Sequence, residues 1–210
     1  DPFGNTIFLG HDVAGRRETV TDRLGHATVY EYDERGNVLK QTDPLGAVTT
    51  YAYDDQDNKL TETDPFGYTT HYTYGQFREL TSVKNARGFT TTNSYDPDTG
   101  NLLQERDPLG HVTSYTYDGQ GNLRTRTDAL GSVLTNAYDA QGRMTFTATL
   151  DSNSHLLTSS SYTYDTNGNQ LTKSVKRTTT SGVETLLTHY AYDRESRLLQ
   201  TIYPDGSTNT

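Results

Sequence analysis

The chain alternates short segments rich in Thr, Tyr, Val and Leu with short polar segments that contain Asp, Asn and Gly. The first kind of segment is roughly five to seven residues long, which is a usual strand length. Thr113, Tyr115 and Tyr117 alternate along one such segment and would therefore share one face of a strand. Nowhere do apolar residues recur at helical spacing over ten or more positions. The pattern predicts strands joined by turns and no helix.

The dipeptide Tyr-Asp recurs along the chain, mostly at steps of 21 residues. A fixed period of this size predicts a stack of similar small units. His11-Asp12 and Tyr74-Gly75 occupy the same place with one residue changed. The unchanged pairs are Tyr32-Asp33, Tyr53-Asp54, Tyr95-Asp96, Tyr117-Asp118, Tyr138-Asp139, Tyr164-Asp165 and Tyr192-Asp193.

A second mark, Asp-x-x-Gly, lies between the Tyr-Asp pairs and predicts a type I turn. Asp in the first place accepts hydrogen bonds from the following amides, and Pro in the second presets φ. Gly in the fourth place lets the backbone leave the turn without steric strain. Asn85-Ala86-Arg87-Gly88 and Tyr203-Pro204-Asp205-Gly206 are variants of this mark. Its other copies are Asp1-Pro2-Phe3-Gly4, Asp22-Arg23-Leu24-Gly25, Asp43-Pro44-Leu45-Gly46, Asp64-Pro65-Phe66-Gly67, Asp107-Pro108-Leu109-Gly110 and Asp128-Ala129-Leu130-Gly131.

The Tyr-Asp pair also begins a turn, because polar residues and glycines such as Gly36 and Gly121 follow it and glycine tolerates the positive φ of tight hairpins. Each repeat thus contains two strands and two turns. The fold class is predicted to be all-β: an antiparallel β-strip or solenoid of ~21-residue repeats. Residues 1–210 would form one continuous array of about nine repeats, regular over 1–143 and looser over 144–210.

The strands carry two recurring apolar positions, a Tyr-x-Tyr pair on one strand and a Leu or Met on the next. Stacking the repeats would place Tyr beside Tyr and Leu beside Leu, and such cross-strand pairs stabilise a sheet by roughly 0.2–1 kcal/mol each. The second set contains Leu39, Leu60, Leu80, Leu102, Leu123, Met144, Leu171 and Leu198.

Composition leaves disorder as a competing interpretation, because hydrophobic residues make up only 31% of the chain and its mean hydropathy is −0.82. The periodic placement of the 16 tyrosines argues against it. A net charge of −9 argues against nucleic acid or an anionic membrane as partner. No stretch is long enough to span a membrane. The start inside a turn at Asp1, without a signal peptide, suggests an excised piece.

Residues 107–123 and 43–60 each contain Asp-Pro-Leu-Gly followed by Thr-x-Tyr-x-Tyr-Asp. This order resembles the rearrangement-hotspot (RHS) or tyrosine–aspartate (YD) repeat family, and the resemblance covers nearly the whole chain. It implies a β-strip that spirals into a hollow shell, as in bacterial polymorphic toxins, insecticidal toxin complexes and teneurins. In the toxins the shell encloses a cytotoxic C-terminal segment. The segment that closes and cleaves such shells is not visible here, so no residue is assigned proteolysis or toxicity.

Two acidic segments could in principle bind Ca²⁺, residues 54–58 and 96–100, because carboxylate oxygens lie close together in both. Both coincide with a predicted turn, and turn chemistry explains them more simply. The 27 acidic residues offer chance pairs of the glycosidase kind, but most recur in every repeat. The six histidines are scattered. We therefore predict no catalytic residue, no cofactor and no metal.

The sequence predicts a non-enzymatic structural scaffold, a wall segment of an extracellular or surface-displayed bacterial protein. It would enclose or display a polypeptide or build a fibre. Its partners would be flanking repeats or other copies joined through open β-edges, and an enclosed toxin polypeptide or glycans. Nucleic acid and membrane insertion are not expected. The alternative is a carbohydrate-binding or adhesion module in which periodic Tyr, Asn and Asp contact sugars; an enzyme is the third and weakest hypothesis.

Overall fold

A computed structural model describes residues 7–179 and 182–210 of the chain. Within these residues the regular structure consists of 19 β-strands and no helix. The predicted all-β class with two strands per repeat is thus confirmed. The first predicted turn, residues 1–4, lies outside the described residues.

The strands have the following bounds: β1 Phe8–Asp12, β2 Arg17–Thr21, β3 Ala27–Tyr32, β4 Val38–Thr42, β5 Val48–Tyr53, β6 Lys59–Thr63, β7 Thr69–Tyr74, β8 Leu80–Lys84, β9 Thr90–Tyr95, β10 Leu102–Arg106, β11 Val112–Tyr117, β12 Leu123–Thr127, β13 Val133–Tyr138, β14 Met144–Leu150, β15 Leu156–Tyr164, β16 Gln170–Thr179, β17 Gly182–Tyr192, β18 Leu198–Ile202 and β19 Thr208–Asn209. From β2 to β13 the strands contain five or six residues, whereas β15, β16 and β17 contain 9, 10 and 11. The longer spacing late in the chain therefore reflects longer strands.

The chain divides into two compact units. One contains residues up to Ser94 together with Asp107–Leu109, and the other contains Tyr95–Arg106 and Gly110–Thr210. In the first unit, β1 to β9 form an antiparallel meander in which each strand pairs with the next. In the second unit, β10 to β19 do the same.

The pairing is asymmetric within a repeat, as β5, β6 and β7 show. Across the Tyr-Asp turn, β5 pairs with β6 from Thr50 to Tyr53, with a bulge just before Tyr53. Across the other turn, β6 pairs with β7 over only three positions, which leaves the start of β6 at Lys59 without a ladder partner on β7. The same alternation of longer and shorter ladders recurs at β11, β12 and β13.

The expectation that Tyr lies beside Tyr and Leu beside Leu is wrong for directly paired strands. Tyr74 lies opposite Leu80, Tyr117 opposite Leu123 and Tyr138 opposite Met144. Neighbouring strands of a meander belong to the two different halves of a repeat, so equivalent residues are separated by a strand. The cross-strand pair that stabilises the sheet is therefore mostly aromatic with aliphatic.

The Leu positions listed from the sequence fall into two sets that face opposite sides. Leu80, Leu123 and Met144 follow their turn by five residues and lie opposite the tyrosine. Leu39 and Leu60 follow by six residues, and Val38 and Lys59 take the place opposite the tyrosine instead. Since successive side chains alternate between faces, this one-residue shift leaves Leu39 and Leu60 exposed.

The sheet has almost no conventional core. Ala148 is the one apolar residue in the described chain that is buried, and no side chain there is fully enclosed. The total accessible surface is 13,993 Å², whereas a compact protein of 23.4 kDa would expose about 9,700 Å². Stability therefore comes from ladders, turns and half-buried rings.

Candidate functional site

We call each turn, with its five residues (six at Asp96), a corner and name it by its first residue. Because consecutive strands are antiparallel, the corners alternate between two margins of the sheet. The Tyr-Asp margin carries the corners of Asp12, Asp33, Asp54 and Gly75 in the first unit and of Asp96, Asp118, Asp139, Asp165 and Asp193 in the second. The Asp-Pro margin carries those of Asp22, Asp43, Asp64 and Asn85 in the first unit and of Asp128, Asp151 and Tyr203 in the second, and the Asp107 corner joins β10 to β11.

The Asp33 corner shows how local chemistry forms the turn. The Asp33 amide donates to the Asn37 carbonyl at 2.9 Å, and the Gly36 amide donates to the Asp33 carbonyl at 3.3 Å. Asp33 Oδ1 accepts the amides of Arg35 at 2.9 Å and of Asn37 at 2.8 Å. Gly36 has φ 91°, a conformation that glycine adopts without steric cost. This is a type I turn closed by a glycine bulge.

The Asp-Pro corners have the same geometry, although their sequences suggest a separate kind of turn. At Asp43 the corresponding backbone bonds are 2.9 Å to Ala47 and 3.0 Å from Gly46. Its Oδ1 accepts the amides of Leu45 and Ala47 at 2.9 and 2.8 Å. The structure places the predicted residues Asp64, Asp118, Asp128, Asp139 and Asp165 in the same role, and Gly46, Gly67, Gly110, Gly121 and Gly131 at positive φ. Pro44, Pro65 and Pro108 lie second in their turns.

The Asp151 corner was not predicted from the sequence. The Asp151 amide donates to the His155 carbonyl at 2.9 Å, and the Asp151 Oδ1 accepts the amides of Asn153 and His155. Ser154 replaces glycine in the fourth place and adopts φ 66°. An Asp in the first place followed by short polar residues was the available signal, but the missing glycine and the longer spacing concealed it.

At several corners, hydrogen bonds lower the pKa of the aspartate. The Asn37 side chain, which donates to Asp33 Oδ2 at 3.0 Å, is the main cause of the lowered pKa of Asp33. The pKa of Asp54 is lowered chiefly by Asn58 in the same way. Burial raises the pKa of Asp139, but the hydrogen bonds and charge of Arg143 outweigh it and the net shift is downward. Carboxylates engaged in this way are acceptors for the turn and poor donors of protons.

In both candidate Ca²⁺ segments the first aspartate is engaged in its own turn. Asp54 accepts the amides of Gln56 and Asn58 and the Asn58 side chain. Asp57 accepts Asn37 Nδ2 at 2.6 Å. Asp96 accepts the amides of residues 98 and 99 at 3.0 and 2.9 Å. Within the described ranges, no group of three or more His, Asp or Glu residues is placed to hold a metal ion.

Side chains link neighbouring corners along the Tyr-Asp margin. In the first unit, Arg35 Nη2 donates to the Asp54 carbonyl at 2.8 Å and Arg78 Nε donates to Asn58 Oδ1 at 3.0 Å. In the second unit, Arg143 Nη1 donates to the Asp165 carbonyl at 3.0 Å while its guanidinium lies 4.7 Å from the Tyr164 ring centre. This margin is therefore fastened from repeat to repeat by polar contacts.

The tyrosines of the Tyr-Asp pairs fill the gap where the shorter ladder ends. Tyr74 donates its hydroxyl to the Lys59 carbonyl at 3.1 Å, Tyr138 to that of Leu123 at 3.0 Å, and Tyr164 to that of Met144 at 2.7 Å. Burial raises the pKa of Tyr74 and of Tyr164. Stacking on a sugar requires an open ring face, and these half-buried, hydrogen-bonded rings do not favour the carbohydrate-binding alternative.

Lys59 is a charged exception in the place opposite the tyrosine. Its Nζ lies 4.6 Å from the Tyr72 ring centre and 5.6 Å from that of Tyr51, and it donates to Glu62 at 2.6 Å. Burial lowers the pKa of Lys59, but the bond to Glu62 and the nearby negative charge raise it further, so the net shift is upward. The Lys59 ammonium thus takes the place of a leucine between two rings, and the Glu62 carboxylate balances its charge.

The Asp-Pro margin presents large apolar side chains to solvent. They occupy the third place of the corner: Leu24, Leu45, Phe66, Leu109 and Leu130 are 80, 94, 85, 77 and 85% exposed. On the Tyr-Asp margin, Phe77 is the one large apolar residue in that place among the described corners. An open groove of about 550 Å³ between the Asp64 and Asn85 corners is lined by Tyr68, His71, Lys84 and Arg87, without a pair of acids. No role for these tips was predicted from the sequence.

The RHS Repeat family model matches residues 32–67, 95–133 and 117–155. Residues 32–67 and 95–155 of this chain therefore contain RHS repeats, and the resemblance seen in the sequence is confirmed. Among curated proteins, no sequence matches this chain. No helix in the described residues is long and apolar enough to cross a membrane.

Two solved structures share the fold. The crystal structure of TcdB2-TccC3 aligns with a TM-score of 0.64 and 14% identity over 91% of this chain. The crystal structure of TcdB2-TccC3-Cdc42 aligns with a TM-score of 0.60 and 17% identity over 84% of it. This chain spans only 14% and 12% of the length of those chains. At such identities the likeness concerns the fold.

Proposed function

We propose that this chain is a non-enzymatic wall segment of an RHS-type β-shell that encloses a polypeptide. The observation that carries the proposal is a sheet of half-buried strands that exposes roughly 4,000 Å² more than a compact protein of its mass. A sheet of this kind gains by being closed on itself or covered, because open edges and faces invite association. A wide sheet with little core can surround another polypeptide, whereas a compact domain of the same mass cannot.

The proposed lack of catalysis rests on how the polar groups are used. The recurring acids accept turn amides, as Asp33 and Asp43 do. The recurring tyrosines bond backbone carbonyls, as Tyr74 and Tyr138 do. A residue type that repeats in every unit with one structural role leaves no special group for a reaction centre.

The organisation and the surroundings of the wall are part of the proposal. Residues 1–210 would belong to one continuous array whose open strands pair with flanking repeats or with other copies. The enclosed partner would be a toxin polypeptide, and the protein would be extracellular or at the bacterial surface. Support comes from the RHS matches and from the fold shared with TcdB2-TccC3.

Two adjacent positions on β9 test whether the sheet is a closed wall. Thr91 lies opposite Val83 and Thr92 opposite Ser82, so the two side chains point to opposite faces. These 210 residues contain no cysteine, so Thr91→Cys and Thr92→Cys each add one thiol, and labelling of the full-length protein is compared with labelling of its unsubstituted form. Both variants would be made in the full-length natural protein and in this chain alone, then treated with a small maleimide or a bulky polyethylene-glycol maleimide.

We expect the small reagent to label both positions in the full-length protein and the bulky reagent to label only one of them. In the isolated chain the bulky reagent should label both. Equal bulky labelling of both faces in the full-length protein would contradict enclosure and would favour an open strip.

A further inference from the structure

The third place of the Asp-Pro corners holds large apolar residues, which are unusual in exposed turns. Position i+2 of a type I turn is normally polar and solvated. In the first unit Leu24, Leu45 and Phe66 occupy it with 80, 94 and 85% of their surface exposed. The turn itself does not require them, because Arg87 occupies the same place in the Asn85 corner with the same backbone bonds. A contact outside the sheet would explain their chemistry.

These three tips form a regular row. Successive tips are separated by two strands of the meander, β3 and β4 and then β5 and β6, and neighbouring strands lie roughly 4.8 Å apart. The tips are therefore spaced at roughly 9–10 Å. Tyr68, 62% exposed, extends the apolar surface beside Phe66.

The tips supply the apolar surface that a contact needs. Leu24, Leu45, Phe66 and Tyr68 are 80, 94, 85 and 62% exposed, and contiguous apolar patches of roughly 300–600 Å² often mark interaction sites. A row of separate apolar tips buries little area against a flat surface. It buries more against a row of the same spacing, because each tip can then enter the space between two others.

We propose that the Asp-Pro margin of the first unit binds the same margin of a second copy through the row of Leu24, Leu45 and Phe66. A partner made of the same repeat has the same spacing between its tips, so contacts can form along the whole row. A partner with another spacing would contact only one or two tips. Self-complementary contacts of this kind form closed dimers. The inference extends the proposed wall function by naming the margin that joins copies, and it needs no enclosed polypeptide.

Sedimentation of the isolated chain over a range of concentrations tests the contact. The wild type should dimerise, and the triple variant L24S/L45S/F66S should weaken the dimer by roughly 100-fold or more, since three large apolar side chains are lost. Serine suits the third place of a type I turn, so circular dichroism should show unchanged β-structure. Phe77→Ser, the matched change on the Tyr-Asp margin, should leave the dimer intact.

Crosslinking gives a second test that does not depend on affinity. Leu45 is the middle tip, so it lies near its counterpart whether the two rows run parallel or antiparallel. Leu45→Cys should form a disulfide-linked dimer under mild oxidation, and Gln56→Cys, in the same place of a Tyr-Asp corner, should not.

Three outcomes would overturn the proposal: a wild-type monomer at every concentration, a triple variant that dimerises as tightly as the wild type, or equal crosslinking of the two cysteine variants. The first would leave the labelling test of the closed wall unaffected. The second would show that the three tips do not form the contact.

Discussion

The two margins of the sheet use one turn geometry and present opposite surfaces. At both Asp33 and Asp43 the carboxylate accepts the same two amides. The Tyr-Asp margin adds side chains that bond the next corner, such as Arg35 and Arg143. The Asp-Pro margin adds apolar tips such as Leu45, which is 94% exposed.

This difference separates what holds the sheet together from what is free to contact another molecule. The backbone of a corner needs its first and fourth residues, because the first supplies the acceptor and the fourth the positive φ. The residues between them are not constrained by the turn. Polar residues there can fasten the next repeat on one margin, while apolar residues there remain available on the other.

Acid should have the largest effect, because many corners titrate together. Hydrogen bonds from turn amides and side chains lower the pKa of Asp33, Asp54, Asp118 and Asp165 below the ordinary 3.8, although burial opposes the shift. Near that pH the folded state binds fewer protons than the unfolded state, so the stabilisation is complete above it and is lost as pH falls through the folded pKa. We expect the melting temperature to fall steadily below about pH 4.

Asp118→Asn sharpens the acid test. Asn85 already plays this role, since its Oδ1 accepts the amides of Arg87 and Phe89 at 3.0 Å. The variant should fold and should show a shallower loss of melting temperature with acid than the wild type does. A melting temperature that is constant from about pH 6 to about pH 2 would show that the corner carboxylates do not stabilise the fold.

Removing one side chain from each margin should give the next largest effect. Tyr164→Ala loses the hydroxyl bond to the Met144 carbonyl and the ring beneath Arg143, and we expect a loss of roughly 2–3 kcal/mol in unfolding free energy. Leu130→Ala, at a tip that is 85% exposed, should change it by less than about 0.5 kcal/mol. Urea titration followed by circular dichroism measures both, and equal losses would remove the distinction between the margins.

Replacing a serine by glycine at the fourth place of a corner should stabilise the fold, by less than the loss expected for Tyr164→Ala. The gain should differ between the two margins. Ser154 and Ser196 adopt φ 66° and 63°, which strains a residue with a Cβ by roughly 1 kcal/mol. Ser154→Gly should recover about that much. Ser196→Gly should recover less, because Ser196 Oγ accepts Asn169 Nδ2 at 3.1 Å. A larger gain at Ser196 in the same urea titration would contradict the role of that link.

The smallest change in unfolding free energy is expected for Lys59, the charged residue in the place opposite the tyrosine. Lys59→Leu removes the contacts with Tyr51, Tyr72 and Glu62 but restores the leucine found at equivalent places. Partly exposed ion pairs and cation–π contacts are each worth about 1 kcal/mol or less, so the net change should stay within about 1 kcal/mol. A loss above roughly 2 kcal/mol in thermal or urea unfolding would show that the charge itself holds this repeat.

Corner positions could be predicted where the chemistry is local and the residues are typical, as at Asp64 and Gly67. The Asp151 corner could not, because Ser154 gives no glycine signal and the strands around it are longer. The face taken by each leucine could not be predicted either. Side chains alternate with a period of two, so the one-residue difference between Leu60 and Leu80 reverses the face, and the bulge beside the tyrosine sets the count.

The sequence by itself determined the strand and turn content, the two strands per repeat and the RHS family, because these follow from neighbours a few residues apart. The tertiary structure decided that Tyr faces Leu, that Tyr74 and Tyr138 bond the carbonyls of the preceding strand, and that arginines link the corners of one margin while apolar tips are exposed on the other. The physical reason is distance along the chain. A turn is chosen by residues within one corner, but register and exposure depend on strands that only pairing brings side by side.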